Sequence, residues 1–578
     1  MKVDNVKFLP LPDETKLKID SFKLLPFVVI FGGILFSLYL FSLIQEEIYF
    51  SGDGGLKALL AKQLSSGNLR LDLILPAETW VQQLWSKGLY PFKPPFVYHE
   101  ANHYYITFPF TFPLLTAPFH ALFGFRGLYI VPLVSLWSIW LSFYWTCQRL
   151  RLGNISSSIA VLVLIFASPL SLYGATYWEH TLAVALAFHG LSLLLVPTNQ
   201  GLSKCSALLS GILIGLSAWF RPELLCVAGV LLALALACSR FSFLLNLSYL
   251  VGGGLLGLSI WLKDGAIGFA GLSCLLFQAL PKTEFSLPRK KFLVASLVIT
   301  IAVFFGLNTL IYHHPLGIHA IQVVEGFSVR TRLLEAYRFF GSMNSELMAY
   351  FPVIFFPLIC VLLSLFEREV RLAPNVKLIA LFCILTACLI PMLLPSDGGK
   401  QWGPRFLLIL VPISTLVSVS ILQSILQWRP SSLRYFSIGL FSMLVAVGIQ
   451  TNTIQGAAYF AQNFKTAPLT QSLRQDSSPV IAVTHQYLNQ MLMPVLISNA
   501  FFLTEDEAAL AELGKALVQQ KQQQFTYICY RETTCQASTG LSGFNLNGQQ
   551  FSFQFAGVKK FEGHSVYKAS IVQAGASS

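Results

Sequence analysis

The sequence predicts an all-α polytopic membrane protein of about 13 transmembrane helices, with a small α/β extracytoplasmic domain at its C-terminal end. Three observations predict it. Of 578 residues, 54% are hydrophobic and only 11% charged, where soluble domains run to roughly 25% charged. Uncharged runs long enough to cross a bilayer recur between residues 24 and 454. From residue 455 the chain turns polar and Gln-rich. There the strand-like runs Pro479–Val483, Phe525–Tyr530 and Phe551–Phe555 appear, with a helical run Glu505–Gln523 between the first two, opened by Thr504-Glu505-Asp506-Glu507.

Residues 1–23 read as a cytoplasmic tail bearing Lys2, Lys7, Lys16, Lys18 and Lys23. No small-residue cleavage site follows the apolar run Leu24 to Ile44, so that run is expected to stay as a signal anchor. It crosses outward into a long outer loop, residues 46–106. This loop carries Asp53, expected as the N-cap of a helix Gly54 to Leu64, and then an aromatic, Pro-rich run Trp80 to Tyr105. Phe108 to Pro113 is too proline-broken for an ordinary span and reads as a helix start or a shallow membrane dip. Spans then alternate. Gly127–Thr146 runs inward, Ile155–Tyr173 out, Thr181–Val196 in, Ala207–Phe220 out, Leu224–Cys238 in, Phe243–Leu262 out, Ile267–Leu280 in and Phe292–Tyr312 out. A second long outer loop is expected at 313–346. Leu347–Phe366 returns, Leu378–Leu394 goes out, Phe406–Leu426 returns and Tyr435–Thr451 goes out, leaving 455–578 outside as a separate domain. On this path the inner tail and loops hold 18 Lys and Arg residues, the bias that sets orientation.

The net charge of +12 follows from those inner loops and is not a nucleic-acid signal. Eight of the ten cysteines lie in apolar segments or at their ends and act as small hydrophobes. No Cys/His spacing suggests zinc. Cys529 and Cys535 stand apart in the polar tail, where an oxidising compartment would let them pair.

The outer face gathers polar clusters that a purely structural membrane protein has no reason to carry. Asp53 follows the first span. His99, Glu100 and His103 close the first loop, and Trp178-Glu179-His180 and Arg221-Pro222-Glu223 fill two short turns. His313, His314 and His319 open the second loop, which also holds Arg330, Arg332 and Arg338; Lys400, Trp402 and Arg405 fill the last turn. Each has a plain structural reading too: a local ion pair at Arg221, an interfacial aromatic belt at Trp178, a solvated loop at His313, a solvated amphipathic helix at Arg330, Arg332 and Arg338. Outer-face cations nonetheless run against the positive-inside tendency, and guanidinium forks match phosphate oxygens. One carboxylate, several cations and aromatic walls (Trp80, Trp85, Tyr98, Trp178, Trp402) are the parts that sugar transfer from a lipid-linked phosphosugar needs. The carboxylate takes a proton from an acceptor hydroxyl. The cations hold the departing phosphate.

At this point the sequence resembles the GT-C class of integral-membrane glycosyltransferases, the group with protein mannosyltransferases and aminoarabinose transferases. Four features carry the resemblance: Ser51-Gly52-Asp53-Gly54-Gly55-Leu56-Lys57 after the first span, the proline-rich Phe108–Pro118, the Gly-rich Gly211–Glu223 ending in Arg-Pro-Glu, and Trp402-Gly403-Pro404-Arg405-Phe406-Leu407-Leu408. It covers roughly residues 24–425 and not the tail. The resemblance implies a polyprenyl-phosphate-sugar donor, inverting transfer to a lipid, glycan or protein acceptor, and Asp53 as general base. The outer-face clusters then supply the expected donor-phosphate or substrate contacts at Arg221, Lys400, Arg405, Arg330, Arg332 and His313, with Glu100, His103, Glu179, His180, Glu223 and Trp402 in support. Many members pair the base with a second carboxylate. Here Gly54 follows Asp53, so a metal-free, cofactor-free mechanism is expected, with a divalent metal as the less favoured option.

The competing reading is a transporter or flippase for a lipid-linked or anionic substrate, which expects charges or broken helices at mid-membrane. Phe292–Tyr312 and Leu378–Leu394 are almost free of charge, and Gly252-Gly253-Gly254 is explained as well by close helix packing. A third reading, an assembly scaffold binding through its tail, would leave Asp53 without a role. The expected home is a bacterial inner membrane.

Overall fold

The computed structural model describes residues 22–75, 77–195, 202–237, 289–318, 321, 329–366, 374–394, 396, 398–427, 430–464, 467–476, 478–530, 543–561 and 563–573. The tail before residue 22, the expected spans Phe243–Leu262 and Ile267–Leu280, the Gly252–Gly254 run, Cys535 and the side chains of Arg330 and Arg332 lie outside the described residues.

The chain is mostly helical, with a β-rich C-terminal domain. Four of the described helices are long and apolar enough to cross a membrane: Leu25–Ser42, Ile130–Arg149, Lys290–Tyr312 and Ser432–Gln462. The first shows what a lipid-facing helix requires. It buries Ile30, Gly33, Ser37 and Leu40 and leaves Phe27, Val28, Phe31 and Leu35 exposed, so apolar side chains cover both faces.

The expected count of about thirteen full-length spans is not reached among the described residues, because several runs break. Ile155–Tyr173 divides at Ser168-Pro169 into Asn154–Phe166 and Leu170–Gly174. Ala207–Phe220 is unbroken and ends before Arg221-Pro222 as expected, in a helix, Lys204–Phe220, of 17 residues. Leu347–Phe366 bends by 103° between Tyr350 and Pro352, where proline has no N–H to continue the ladder. The Tyr350 carbonyl at that bend accepts from Asn452 Nδ2 at 2.7 Å. Within the second outer loop expected at 313–346, Val329–Tyr350 is a helix, in keeping with the amphipathic-helix reading of Arg330, Arg332 and Arg338. Its charged and apolar residues average out, so a hydropathy scan passes over it.

The helix Ser432–Ile449 runs on through Gln450–Gln455 to Gln462, carrying the chain from the membrane domain towards the C-terminal one. The C-terminal domain is a six-stranded sheet in the order β4-β3-β5-β8-β7-β6. Its strands are β3 (Val480–Val483), β4 (Ala500–Leu503), β5 (Gln524–Cys529), β6 (Phe544–Leu546), β7 (Gln549–Phe561) and β8 (His564–Gln573); β1 (Val97–Glu100) and β2 (His103–Ile106) form a separate hairpin in the first loop. β3 pairs parallel with β4 and β5, joined by the helices Gln486–Met491 and Glu507–Gln519, while β7 and β8 make a long antiparallel hairpin. Asp506 caps the second helix by accepting from Ala509 N at 2.7 Å.

The two domains meet over the first loop. Trp85 Nε1 donates to the Phe501 carbonyl at 3.0 Å, and Asn489 Nδ2 to the Pro91 carbonyl at 2.6 Å. Lys93 pairs with Glu505, and Glu47 with Arg474. Trp80 stacks on Phe502. Both loop tryptophans, expected among the aromatic walls, thus contact the C-terminal domain.

Candidate active site

Asp53 lies in the first turn of the helix Gly52–Ser65. This corrects the expectation that it caps the helix. Ser51, in extended conformation, occupies the cap position, and its hydroxyl accepts from Trp178 Nε1 at 3.1 Å. Asp53 is then free to turn its carboxylate outward. Oδ2 accepts from Arg405 Nη1 at 2.9 Å, with the two side chains 16% and 12% exposed. The helix N-terminus adds favourable field to a carboxylate in its first turn.

Four residues on, Lys57 sits on the same helix face, and it is one of the largest fully buried side chains in the protein. Its ammonium meets Glu179 Oε2 at 2.5 Å and lies over the Phe108 ring at 4.2 Å. The other Glu179 oxygen accepts from Arg221 Nη1 at 2.8 Å, and Arg221 Nε donates to Glu223 Oε1 at 2.6 Å. Lys57, Glu179, Arg221 and Glu223 therefore form one buried ion chain across three segments of sequence. Burial alone would raise the Glu179 carboxyl, but Lys57 and Arg221 outweigh it and hold the group down at about 2. Burial draws Lys57 below its ordinary value, with Glu179 and Asp53 pulling back.

Aromatic rings tie the ion chain to the Asp53–Arg405 pair. The Arg405 guanidinium lies 5.4 Å from the Trp178 ring and 5.0 Å from Phe406, and Arg221 lies 5.1 Å from Phe406. His180 is buried among Tyr173, Trp178 and Phe406, and neither ring nitrogen has a hydrogen-bond partner among the described residues. Lys400 lies 5.5 Å from the Phe50 ring, and burial lowers its ammonium to about 8. Trp402 anchors its turn, donating to Asn452 Oδ1 at 3.3 Å and packing on Tyr459.

Other expected members lie elsewhere. His103 pairs with Asp72 at 2.9 Å, beside Arg70, on the β1–β2 hairpin, and Glu100 is exposed on the same hairpin. His313 is an exposed left-handed C-cap of Lys290–Tyr312. Arg338 is exposed on its helix. Among the described residues, no three His, Cys, Asp or Glu side chains are grouped so as to hold a metal.

Two contributors went unnoticed in the sequence. Lys57 carried a signal, four residues from Asp53 within the same motif. Gln490 carried none. It belongs to the C-terminal helix Gln486–Met491, which packs on the N-terminal turn of the Asp53 helix. A Cβ on Gly55 would stand 2.1 Å from the Gln490 carbonyl oxygen, which explains a glycine there. Gly55→Ala is accordingly expected to push the two helices apart, at a cost of about 1–3 kcal/mol. Thermal unfolding, together with faster proteolysis between residues 463 and 479, checks this.

No protein-family model matches the chain, and no curated protein sequence does. Among solved structures it is similar to ArnT from Cupriavidus metallidurans bound to undecaprenyl phosphate, with a TM-score of 0.47 and 11% identity over 95% of this chain and 97% of that one. The apo state of the same protein matches with a TM-score of 0.43, at 11% identity over 96% and 98%. The apo oligosaccharyltransferase of Archaeoglobus fulgidus matches with a TM-score of 0.45, at 14% identity over 89% of this chain and 70% of that one.

Proposed function

We propose that this chain is an integral-membrane glycosyltransferase that moves a sugar from a polyprenyl-phosphate donor to an acceptor hydroxyl on the outer side of the membrane, with inversion. One observation carries this reading. Motifs up to 352 residues apart in sequence converge on a single carboxylate–guanidinium pair, Asp53 and Arg405. Asp53 takes the proton as the acceptor oxygen attacks the anomeric carbon. The bond from that carbon to the phosphate oxygen breaks, and the phosphate leaves with the electron pair. Arg405 is suited to receive it. A guanidinium carries five N–H donors, Nη1 is on Asp53, and Nε is buried with no hydrogen-bond partner among the described residues. Lys400 is the second phosphate cation. Glu179, Arg221 and Glu223 act from beneath as positioning residues, fixing Lys57 and the floor of the site. Of the donor-phosphate contacts expected, this reading keeps Arg405 and Lys400 and drops Arg221, whose guanidinium pairs with the carboxylates of Glu179 and Glu223. Cys529 is disulfide-bonded, which fits a C-terminal domain in an oxidising compartment, and a bacterial inner membrane with the N-terminus inside meets these conditions.

The test supplies membranes containing the protein with radiolabelled polyprenyl-phosphate sugars and follows label into endogenous acceptors, for the wild type and Asp53→Asn. Transfer that is lost in the variant supports the reading. Full transfer by the variant at normal abundance overturns it.

Lys400 gives a pH signature. Its ammonium is depressed to about 8 by burial, so its charge is present below that pH and lost above it. Donor affinity is expected to weaken by about tenfold, the loss of one charge-assisted contact, as pH rises from 7 to 9.5. Lys400→Arg, which stays charged, is expected to bind evenly across that interval. Donor KM measured against pH for both proteins decides it.

A further inference from the structure

A cavity of about 370 Å³ opens where the membrane domain meets the C-terminal domain. Lys400, Gln462 and Asn463 line one side, and Tyr487, Tyr530 and His564 the other. It adjoins the Asp53 site. Lys400 packs over Phe50, whose ring meets Trp178, and the Asp53 charge is felt at the Tyr487 hydroxyl. The volume falls within the range of ligand sites. Its walls have a definite chemistry. Tyr487 and Tyr530 pack edge to face, while His564 is held by a 3.0 Å contact between its Nδ1 and the Tyr530 carbonyl. The amides of Gln462 and Asn463 offer both donors and acceptors. Lys400 is the one lysine or arginine among the described lining residues, and no carboxylate is among them.

Aromatic faces with amides between them suit a pyranose, whose C–H faces stack and whose hydroxyls need both donors and acceptors. A half-buried ammonium with no lining carboxylate to offset it repels a second cation in a medium of reduced dielectric. We infer that this cavity is the glycosyl subsite of the proposed transfer reaction, that it takes a sugar without positive charge, neutral or acidic, in preference to a protonated amino sugar, and that the C-terminal domain supplies half of its recognition. This rests on the transferase reading for its role but not for its binding.

The experiment measures binding of purified full-length protein to four probes: undecaprenyl phosphate alone, and the same lipid carrying mannose, glucuronic acid or 4-aminoarabinose. The wild type is expected to bind the mannosyl and glucuronyl lipids at least tenfold more tightly than the aminoarabinosyl lipid. His564→Ala and Gln462→Ala are expected to lose about tenfold for the favoured sugars while binding the bare lipid phosphate as the wild type does, which also reports that they are folded. Equal binding of all sugars, tightest binding of the amino sugar, or unchanged sugar binding in both variants overturns the inference. Sugar-dependent binding without transfer to any acceptor would uphold the cavity and overturn the transferase reading instead.

Discussion

Transfer by an Asp53→Asn protein is expected to fall by about 10²- to 10⁴-fold, the contribution of a positioned general base. The substitution keeps the shape and an oxygen to accept from Arg405 Nη1, so the fold and donor binding are expected to survive. The loss should therefore appear in kcat with little change in donor KM. Asp53→Ala is a poorer probe. It leaves the partly buried Arg405 guanidinium without its counter-charge, so instability would mix with lost chemistry. Single-turnover transfer alongside a thermal unfolding curve separates the two. A kcat within threefold of the wild type would move the base to another group.

Glu179→Ala is expected to cost about 3–5 kcal/mol, the penalty for stranding buried charge. Glu179 is the shared anion of two buried cations, Lys57 at 2.5 Å and Arg221 at 2.8 Å, and its removal strands both. The readout is the thermal midpoint and the yield of monodisperse protein in detergent. Adding Lys57→Met to Glu179→Gln removes one stranded cation and leaves Arg221 on Glu223, so the double variant should be more stable than Glu179→Gln alone. Simple additivity would show that the ions are not coupled. The same chain sets an acid limit. The folded Glu179 carboxyl titrates at about 2, below its ordinary 4.5. Its stabilisation is thus complete above about pH 4.5 and is lost as pH falls towards 2.

The membrane class and the site motifs were legible because each rests on a local signal. Charge depletion marks the lipid-facing helices, and Asp53, Glu179, Arg221 and Arg405 stand out as ions beside apolar runs. What was not legible depends on partners distant in sequence. Nothing near Glu179 says whether its ions sit in an interface or beneath a site; its burial together with Lys57 and Arg221 decides that. His103 looked equivalent to His180, yet one pairs with Asp72 on a hairpin and the other is enclosed by rings. An amphipathic helix around Arg330, Arg332 and Arg338 was one reading of the sequence, but its extent from Val329 to Tyr350 was hidden because its polar and apolar residues cancel in an average. β8 hid because its alternation, Val566, Tyr567, Lys568, Ala569, is weak, and only its pairing with β5 and β7 makes it a strand.

The contact between Gln490 and the Gly52–Ser65 helix has a consequence for biosynthesis. The helix bearing Asp53 leaves the ribosome more than 400 residues before the segment that packs on it. During that interval its N-terminal turn is uncovered, and the subsite walls formed by Tyr530 and His564 have not been made. A chain released early would carry every membrane motif and still lack half of the cavity. On the proposed reading, the site is therefore complete only after residues 490, 530 and 564 have all been made, long after the membrane motifs are in place.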